Sequence, residues 1–514
     1  MSTSMETVVE TNTGRVEGYQ QRGLYVFKGI PYAATPVGPR RWLPPQPVEP
    51  WDGVRQAQSY ASIAPQNPMM GGIFDQFGAE EPQSEDCLYL NVWTPGLDDA
   101  RRPVLFWIHG GGFTGGSGSQ PMYKGSRLAA RGNAVVVTIN YRLGSLGFLN
   151  LNEVTKGMIP ATGNEGLLDQ VAALAWVRDN IAAFGGDPQN ITIFGESAGG
   201  MSVGCLLAVP DARGLFHRAV LQSGAANTAL TLDAAVRVAE RFIDILGVDA
   251  GDGDALRSLP VDRLLAAQHE LTLRMMASSR TGLPLQPVID GATLPALPLE
   301  EVRNGSAAHI PVVVGSTLEE WKSLSMMDQE LPELNEDGLQ QRCQQQMPGV
   351  DVKGLIETYR QARTNRGEPT SPTELYMAIQ TDRVFRIPAL RLAEAQRRHG
   401  QSAFNYLFTW RSPVFGGALG ACHGLEIGFL FGAYDETFSG SGPAADALSG
   451  NMQDAWVAFA RDGDPSCEGL GTWPPYGDRR ETMMLGEKCY VEQAPYDEER
   501  RAWEAIPDTV GGGL

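Results

Sequence analysis

Ile191-Thr192-Ile193-Phe194-Gly195-Glu196-Ser197-Ala198-Gly199 is the stretch that decides the fold. A short apolar strand runs into Gly-x-Ser-x-Gly, and small residues then open a helix. A strand-to-helix turn this sharp lifts the serine hydroxyl clear of a sheet. Glycine at 195 and 199 lets strand and helix backbones close on each other around a strained serine. The helix start also turns free amides and the positive end of its dipole toward Ser197. Ser197 therefore reads as a nucleophile. Glycine fills 60 of 514 positions, so a bare Gly-x-Ser-x-Gly arises by chance about 0.4 times in such a chain. The assignment has to come from partner residues.

Outward from this turn, short apolar strands are predicted at Cys87–Trp93, Val104–Ile108, Ala134–Asn140, Ala219–Gln222, Pro311–Val314 and Ala403–Phe408. Helical patterns fall between and after them at Leu167–Ala183, Leu232–Ile245, Ile387–Arg398 and Ala444–Arg461. Apolar strands alternating with helices predict an α/β fold with a large, mostly parallel, doubly wound sheet flanked by helices. Residues 1–23 read as an N-terminal hairpin. Two helix-rich segments, about 226–310 and 325–400, read as insertions over the active site within a single domain spanning 1–514. Reactive groups in such a sheet collect at the carboxyl ends of the strands.

A serine needs a base and a carboxylate that orients the base, and in this architecture the chain order is serine, acid, histidine. Six histidines are present. His109, His217, His269 and His309 precede the acid region, and His399 ends a helix, where a histidine near the C-terminal dipole is ordinary. His423 lies in a glycine-rich loop after the strand Ala403–Phe408 and is the base by elimination. For the acid, Val312-Val313-Val314 runs into Glu319-Glu320-Trp321. Spacing does not separate the two glutamates. Asp290, in an Asp-Gly pair, competes with them but reads more naturally as a turn.

The strand Val104–Ile108 leads into His109-Gly110-Gly111-Gly112-Phe113, a run whose bare backbone points amides at a substrate oxygen. Gly110, Gly112 and Gly115 also fit a dinucleotide fingerprint. That motif needs an acidic residue about 20 positions on, and the first carboxylate after Gly115 is Glu153.

Lys plus Arg number 41 against 60 Asp plus Glu, a formal net charge of −19. This balance disfavours nucleic acid and anionic membranes as partners. Read from Met1, the sequence shows no basic start with an apolar core and no run long enough to span a bilayer. The six cysteines have no paired spacing, so they are expected to be reduced thiols in a cytoplasmic protein.

These motifs together resemble the type-B carboxylesterases, the group that includes cholinesterases and bacterial para-nitrobenzyl esterases. The likeness rests on FKGIPYA at 27–33, EDCLYLNVW at 85–93, HGGGF at 109–113 and NYRLGSLGF at 140–148. It continues through FGGDPQNITIFGESAGG at 184–200, QSG at 222–224 and HGLEIGFLFG at 423–432. The resemblance implies an α/β-hydrolase fold whose helical insertions form gorge walls. It implies a carboxylic ester hydrolase with Ser197 as nucleophile, Glu320 as acid, His423 as base and oxyanion amides from Gly111, Gly112 and Ala198. It further implies that Glu196 and Ser223 support the triad from behind. No metal or organic cofactor is implied, and the expected partner is a small-molecule ester acted on by a monomer or small homo-oligomer. Phe113, Met69, Met70, Phe74, Met326 and Met327 are candidate pocket residues.

The chain departs from the family pattern in three places. Trp321 stands where a glycine usually follows the acid. Cys87 lacks its usual partner, since the upstream stretch is Ala64-Pro65-Gln66. No tryptophan lies between Ala64 and Glu85 to hold a quaternary ammonium, which disfavours the cholinesterase branch. The same triad chemistry extends to carbamates, amides and thioesters. Non-catalytic relatives lose a triad member, whereas here all three positions are filled.

Overall fold

The computed structural model describes residues 7–68, 81–277, 283–326 and 328–508. Its centre is an 11-stranded sheet. In chain order the strands are β1 (Tyr19–Gln21), β2 (Leu24–Pro31), β3 (Tyr89–Thr94), β4 (Arg102–Ile108), β5 (Val135–Ile139) and β6 (Gly186–Glu196). They continue as β7 (Arg218–Gln222), β8 (Val312–Thr317), β9 (Ala403–Phe408), β10 (Glu481–Leu485) and β11 (Tyr490–Gln493). Across the sheet the order is β11-β10-β9-β8-β7-β6-β4-β5-β3-β2-β1. Pairing is parallel from β10 through to β5 and antiparallel at both margins.

The central strands are apolar on both faces because both faces are covered. Alternate residues divide between two cores. Val104, Phe106, Ile108, Ile191, Ile193 and Leu221 point into one. Leu105, Trp107, Phe194, Val220, Val313 and Phe408 point into the other.

The principal helices are α1 (Ser126–Gly132), α2 (Glu165–Asn180), α3 (Ala198–Leu206), α4 (Leu232–Leu246), α5 (Val261–Ala277) and α6 (Glu336–Gln346). The set closes with α7 (Val352–Arg366), α8 (Pro372–Thr381), α9 (Ile387–Arg398), α10 (Leu425–Phe431) and α11 (Pro443–Asp462). Residues of α2, α3 and α9 feed the first core, while residues of α1, α10 and α11 feed the second. Local sequence sets the ends of α4: the Thr231 hydroxyl caps its first turn and Gly247, at φ 64°, ends it in the left-handed conformation.

Helices α4 and α5 lie within 226–310, and α6, α7 and α8 within 325–400. Helix α9 differs from the sequence expectation, because it packs against β8 and β9 as part of the sheet's cover. The N-terminal segment pairs Val8–Thr11 with Gly14–Glu17, and Val54–Gln56 joins them in a separate three-stranded sheet. Strands β1, β2, β10 and β11 were not expected from the sequence. Among the described residues no helix is long and apolar enough to cross a membrane. All six cysteines are free thiols.

Register aligns the strand ends that matter. Ile108 pairs with Gly195, Gln222 with Glu196, and Thr317 with Phe408. The carboxyl ends of β4, β6, β8 and β9 thus open on one edge of the sheet.

Candidate active site

Ser197 sits between β6 and α3 at φ 56°, ψ −126°. A non-glycine residue held there stores about 1–3 kcal/mol of backbone strain, which the surroundings must impose. They do so through contacts too close for side chains. A Cβ on Gly199 would lie 2.0 Å from the Ile108 carbonyl oxygen, one on Gly195 would lie 2.5 Å from the Gly199 carbonyl carbon, and one on Gly200 would lie 2.7 Å from the Gln222 oxygen. The Ser197 amide donates to the Gln222 carbonyl at 2.9 Å, and its own carbonyl accepts from the Met201 amide at 2.8 Å. Ser197 is 7 % exposed.

The glycine loop after β4 runs alongside. A Cβ on Gly110 would come within 3.1 Å of the Ser197 Cβ. Gly111 and Gly112 take φ 109° and 61°. Among the described hydrogen bonds none uses the Gly111 or Gly112 amide. Ala198, as the first residue of α3, has an amide without an intrahelical acceptor. Phe113 follows Gly112 at φ 60°. Its ring is fully buried against Phe148, 5.0 Å between centroids, so it packs in the core and does not line a pocket. Met326 is exposed, and Met69, Met70, Phe74 and Met327 lie outside the described residues.

His423 follows β9 and immediately precedes Gly424, which caps α10 at φ 75°. Its Nδ1 lies 2.6 Å from Glu320 Oε2. Glu320 is fully buried at the end of β8, and its Oε1 accepts from the Thr317 amide at 2.7 Å. The neighbouring Glu319 points elsewhere, pairing with Lys322 at 2.7 Å and Arg411 at 3.0 Å. It also accepts from the Ala421 amide at 2.8 Å, tying down the loop that carries His423. Trp321 in place of a glycine is accommodated by a short helix, Trp321–Leu324, with its amide donating to the Thr381 hydroxyl at 3.1 Å. Asp290 accepts from the amides of Ala292 and Leu294, both at 3.0 Å, in a turn. His399 contacts the carbonyls of Val302 and Arg303 at 3.0 Å each.

On the other side of the imidazole, Glu196 Oε1 lies 3.2 Å from His423 Nε2. Among the described residues the Ser197 hydroxyl makes no hydrogen bond. The imidazole is thus brought to Glu320 and Glu196, and is not hydrogen-bonded to Ser197. Two buried groups complete the surroundings. The Ser223 hydroxyl donates to Glu426 Oε1 at 3.4 Å, and the Phe385 ring lies 5.0 Å from that of His423.

Electrostatics follow from this burial. Burial by itself would lower the His423 imidazole, but the carboxylates of Glu196 and Glu320, with Glu426 behind them, outweigh it and raise the group to about 9. Burial lifts the carboxyls of Glu196 and Glu426 above the ordinary range. His109, whose ring stacks on Tyr141 at 4.4 Å, is pushed down to about 4 by burial and carries no charge at neutral pH.

Sequence reasoning did not single out Glu426 or Phe385. Glu426 carried a usable signal, since it lies three residues past His423 at the start of α10. Phe385 carried none.

A strained serine and a buried His-Glu pair thus share one edge of the sheet, in a chain with clear relatives among known proteins. The family model described as the carboxylesterase family matches residues 5–503. A para-nitrobenzyl esterase of Bacillus subtilis (strain 168) is 38% identical over 96% of this chain and 98% of its own length. A phenmedipham hydrolase of Pseudarthrobacter oxydans is 36% identical over 94% and 95% of the two chains. The solved carboxylesterase EST55 of Geobacillus stearothermophilus superposes with a TM-score of 0.87 at 42% identity, covering 97% of this chain and 100% of that one. The fold is accordingly the α/β-hydrolase fold. This chain belongs to the carboxylesterase family and is a serine carboxylic ester hydrolase.

Proposed function

We propose that the ester carbonyl is attacked by Ser197 Oγ while His423 Nε2 takes the hydroxyl proton. Glu320 accepts the hydrogen bond from Nδ1–H, fixing the tautomer and stabilising the imidazolium that forms. The amides of Gly111, Gly112 and Ala198 receive the oxyanion of the tetrahedral intermediate. Collapse breaks the ester C–O bond, and the alcohol leaves with the proton from His423. Water then repeats the attack on the acyl-Ser197 carbon, activated by the same imidazole. The chemistry uses side chains and backbone alone, with no cofactor. For the first step Nε2 turns from Glu196 to the hydroxyl, a contact that tightens once substrate fills the site. Glu196 supports the imidazole from the Nε2 side, and Ser223 does so indirectly through Glu426.

The observation that carries this reading is the 2.6 Å contact between His423 Nδ1 and the buried Glu320, at the sheet edge where Ser197 is held in a strained turn. We further propose small to medium acyl or aromatic esters as substrates, in keeping with the para-nitrobenzyl ester named for the Bacillus subtilis relative. The protein is proposed to be bacterial and cytoplasmic, supported by the bacterial relatives and the free thiols. We propose one catalytic domain, active as a monomer or small homo-oligomer, with helical segments 226–310 and 325–386 walling the site.

A fluorophosphonate probe followed by peptide mass mapping tests the nucleophile. The expected adduct is on Ser197, with p-nitrophenyl ester turnover lost in proportion. Ser197→Ala should lower kcat by about 10⁴-fold or more. An adduct elsewhere, or none with full turnover, rejects the assignment.

A further inference from the structure

The loop bearing the Gly111 and Gly112 amides is held by a chain of backbone contacts. The amides of Thr114 and Gly115 donate to the Gly111 carbonyl at 3.1 and 2.9 Å, and the Phe113 carbonyl accepts from the Gly144 amide at 2.7 Å. His109 Nδ1 lies 2.8 Å from the Gly110 oxygen. At the far end, Gly116 is gripped by one side chain. Its N–H donates to Gln66 Oε1 at 2.8 Å, and its carbonyl accepts from Gln66 Nε2 at 3.0 Å. The same Nε2 donates to the Ala64 carbonyl at 3.0 Å, and the Gln66 amide donates to Gln83 Oε1 at 2.9 Å.

A primary amide is the side chain that can present donor and acceptor together, as a β-ladder partner would. The grip bears directly on the oxyanion amides because of how tightly the loop is folded. A Cβ on Gly111 would lie 2.2 Å from the Gly115 oxygen, and one on Gly116 would lie 2.5 Å from the Gly110 oxygen. Gly115 and Gly116 therefore rest on Gly110 and Gly111 with no slack between them. A shift of Gly116 is passed to the two free amides.

We infer that Gln66 is a positioning residue for the reaction, holding the Gly111 and Gly112 N–H groups on the oxyanion through its two-point clasp of Gly116. This rests on the proposed oxyanion role of those amides. Gln66 touches neither substrate nor reacting atoms. Its effect is to keep the donors where charge develops, and a misplacement of about 1 Å costs on the order of 100-fold in rate.

The test compares Gln66→Leu and Gln66→Glu with the unaltered enzyme. Leucine removes both hydrogen bonds at similar size. Glutamate keeps an acceptor for the Gly116 N–H but sets a second oxygen against the Gly116 carbonyl. Active sites are titrated with a fluorophosphonate, and kcat and KM are measured with a p-nitrophenyl ester. Inhibition is measured with an aryl trifluoromethyl ketone, whose serine adduct carries the oxyanion.

Both variants should lose roughly 10- to 100-fold in kcat, with KM within about threefold and ketone affinity weakened by the same factor as kcat/KM. A merely structural role would lower the melting temperature and leave kcat per titrated site unchanged, and that result overturns the inference. If Gln66→Leu does not fold, Gln66→Glu decides alone, and a kcat within about twofold of normal rejects the clasp. Ketone inhibition equal in all three proteins rejects it as well. Absence of ketone inhibition in the unaltered enzyme removes the oxyanion reading itself, and the clasp with it.

Discussion

Glu196 Oε1 and His423 Nε2 stand 3.2 Å apart, on the opposite side of the imidazole from Glu320. The ring therefore sits between two buried carboxyl groups, with the Glu426 carboxyl also near, and its protonation follows their charge.

The sign of the pH dependence follows. The base works only when Nε2 is free of its proton, and the carboxylates hold that proton on, raising His423 to about 9. Turnover should climb as pH rises through this raised value. Glu196→Gln removes one negative charge, so the imidazole falls toward its ordinary range and the acid limb of kcat/KM moves to lower pH. A limb that stays put, or moves up, contradicts the charge coupling.

Glu320→Gln should lower kcat by roughly 10³- to 10⁴-fold, because the amide favours the wrong tautomer of His423. Glu319→Gln should cost less than about tenfold, acting only by loosening the Ala421 amide and its ion pairs. Steady-state kinetics of the two variants settle the ranking. Equal losses would mean that Glu319 shares the acid's role.

Gly199→Ala should be poorly tolerated, since its Cβ would meet a backbone oxygen that has no rotamer to yield. Overpacking of this kind costs about 1–3 kcal/mol or more. Thermal unfolding followed by circular dichroism should show a clear drop in the midpoint, and an unchanged midpoint would argue against so close an approach of α3 to β4.

Asp169 is fully buried and binds the Arg142 guanidinium at 2.7 and 2.8 Å and the Arg142 amide at 3.0 Å. Asp169→Ala leaves a buried cation without its partner, which costs about 3–5 kcal/mol. Urea unfolding of the variant measures this. A loss below about 1 kcal/mol would place the pair in the class of solvated surface bridges.

The central strands were legible because a sheet covered on both faces leaves continuous apolar runs, as in Val104–Ile108 and Ile191–Phe194. The margins were not. Tyr490–Gln493 is partly exposed along its length, and Leu24–Pro31 is interrupted by Lys28 and Gly29, so neither shows a clean period. Helix α9 was grouped with the insertions because composition does not reveal which surface an amphipathic helix covers. Glu319 and Glu320 were inseparable by spacing. Which of two consecutive carboxylates faces inward depends on the turn after Thr317, and the Thr317 amide bond and the His423 contact of Glu320 reveal it. Glu426, in the otherwise apolar stretch Leu425–Phe431, was marked only by its place three residues past His423.

The three side chains proposed to react follow separate strands, β6, β8 and β9, whose carboxyl ends are aligned by one sheet register running through β7. The intervening chain is therefore free to drift. Variant libraries confined to residues 226–310 and 325–386, with Thr381 and Phe385 kept, should redirect which molecules are accepted while the turnover apparatus persists. The scaffold separates selectivity from reactivity, and so leaves selectivity open to evolution.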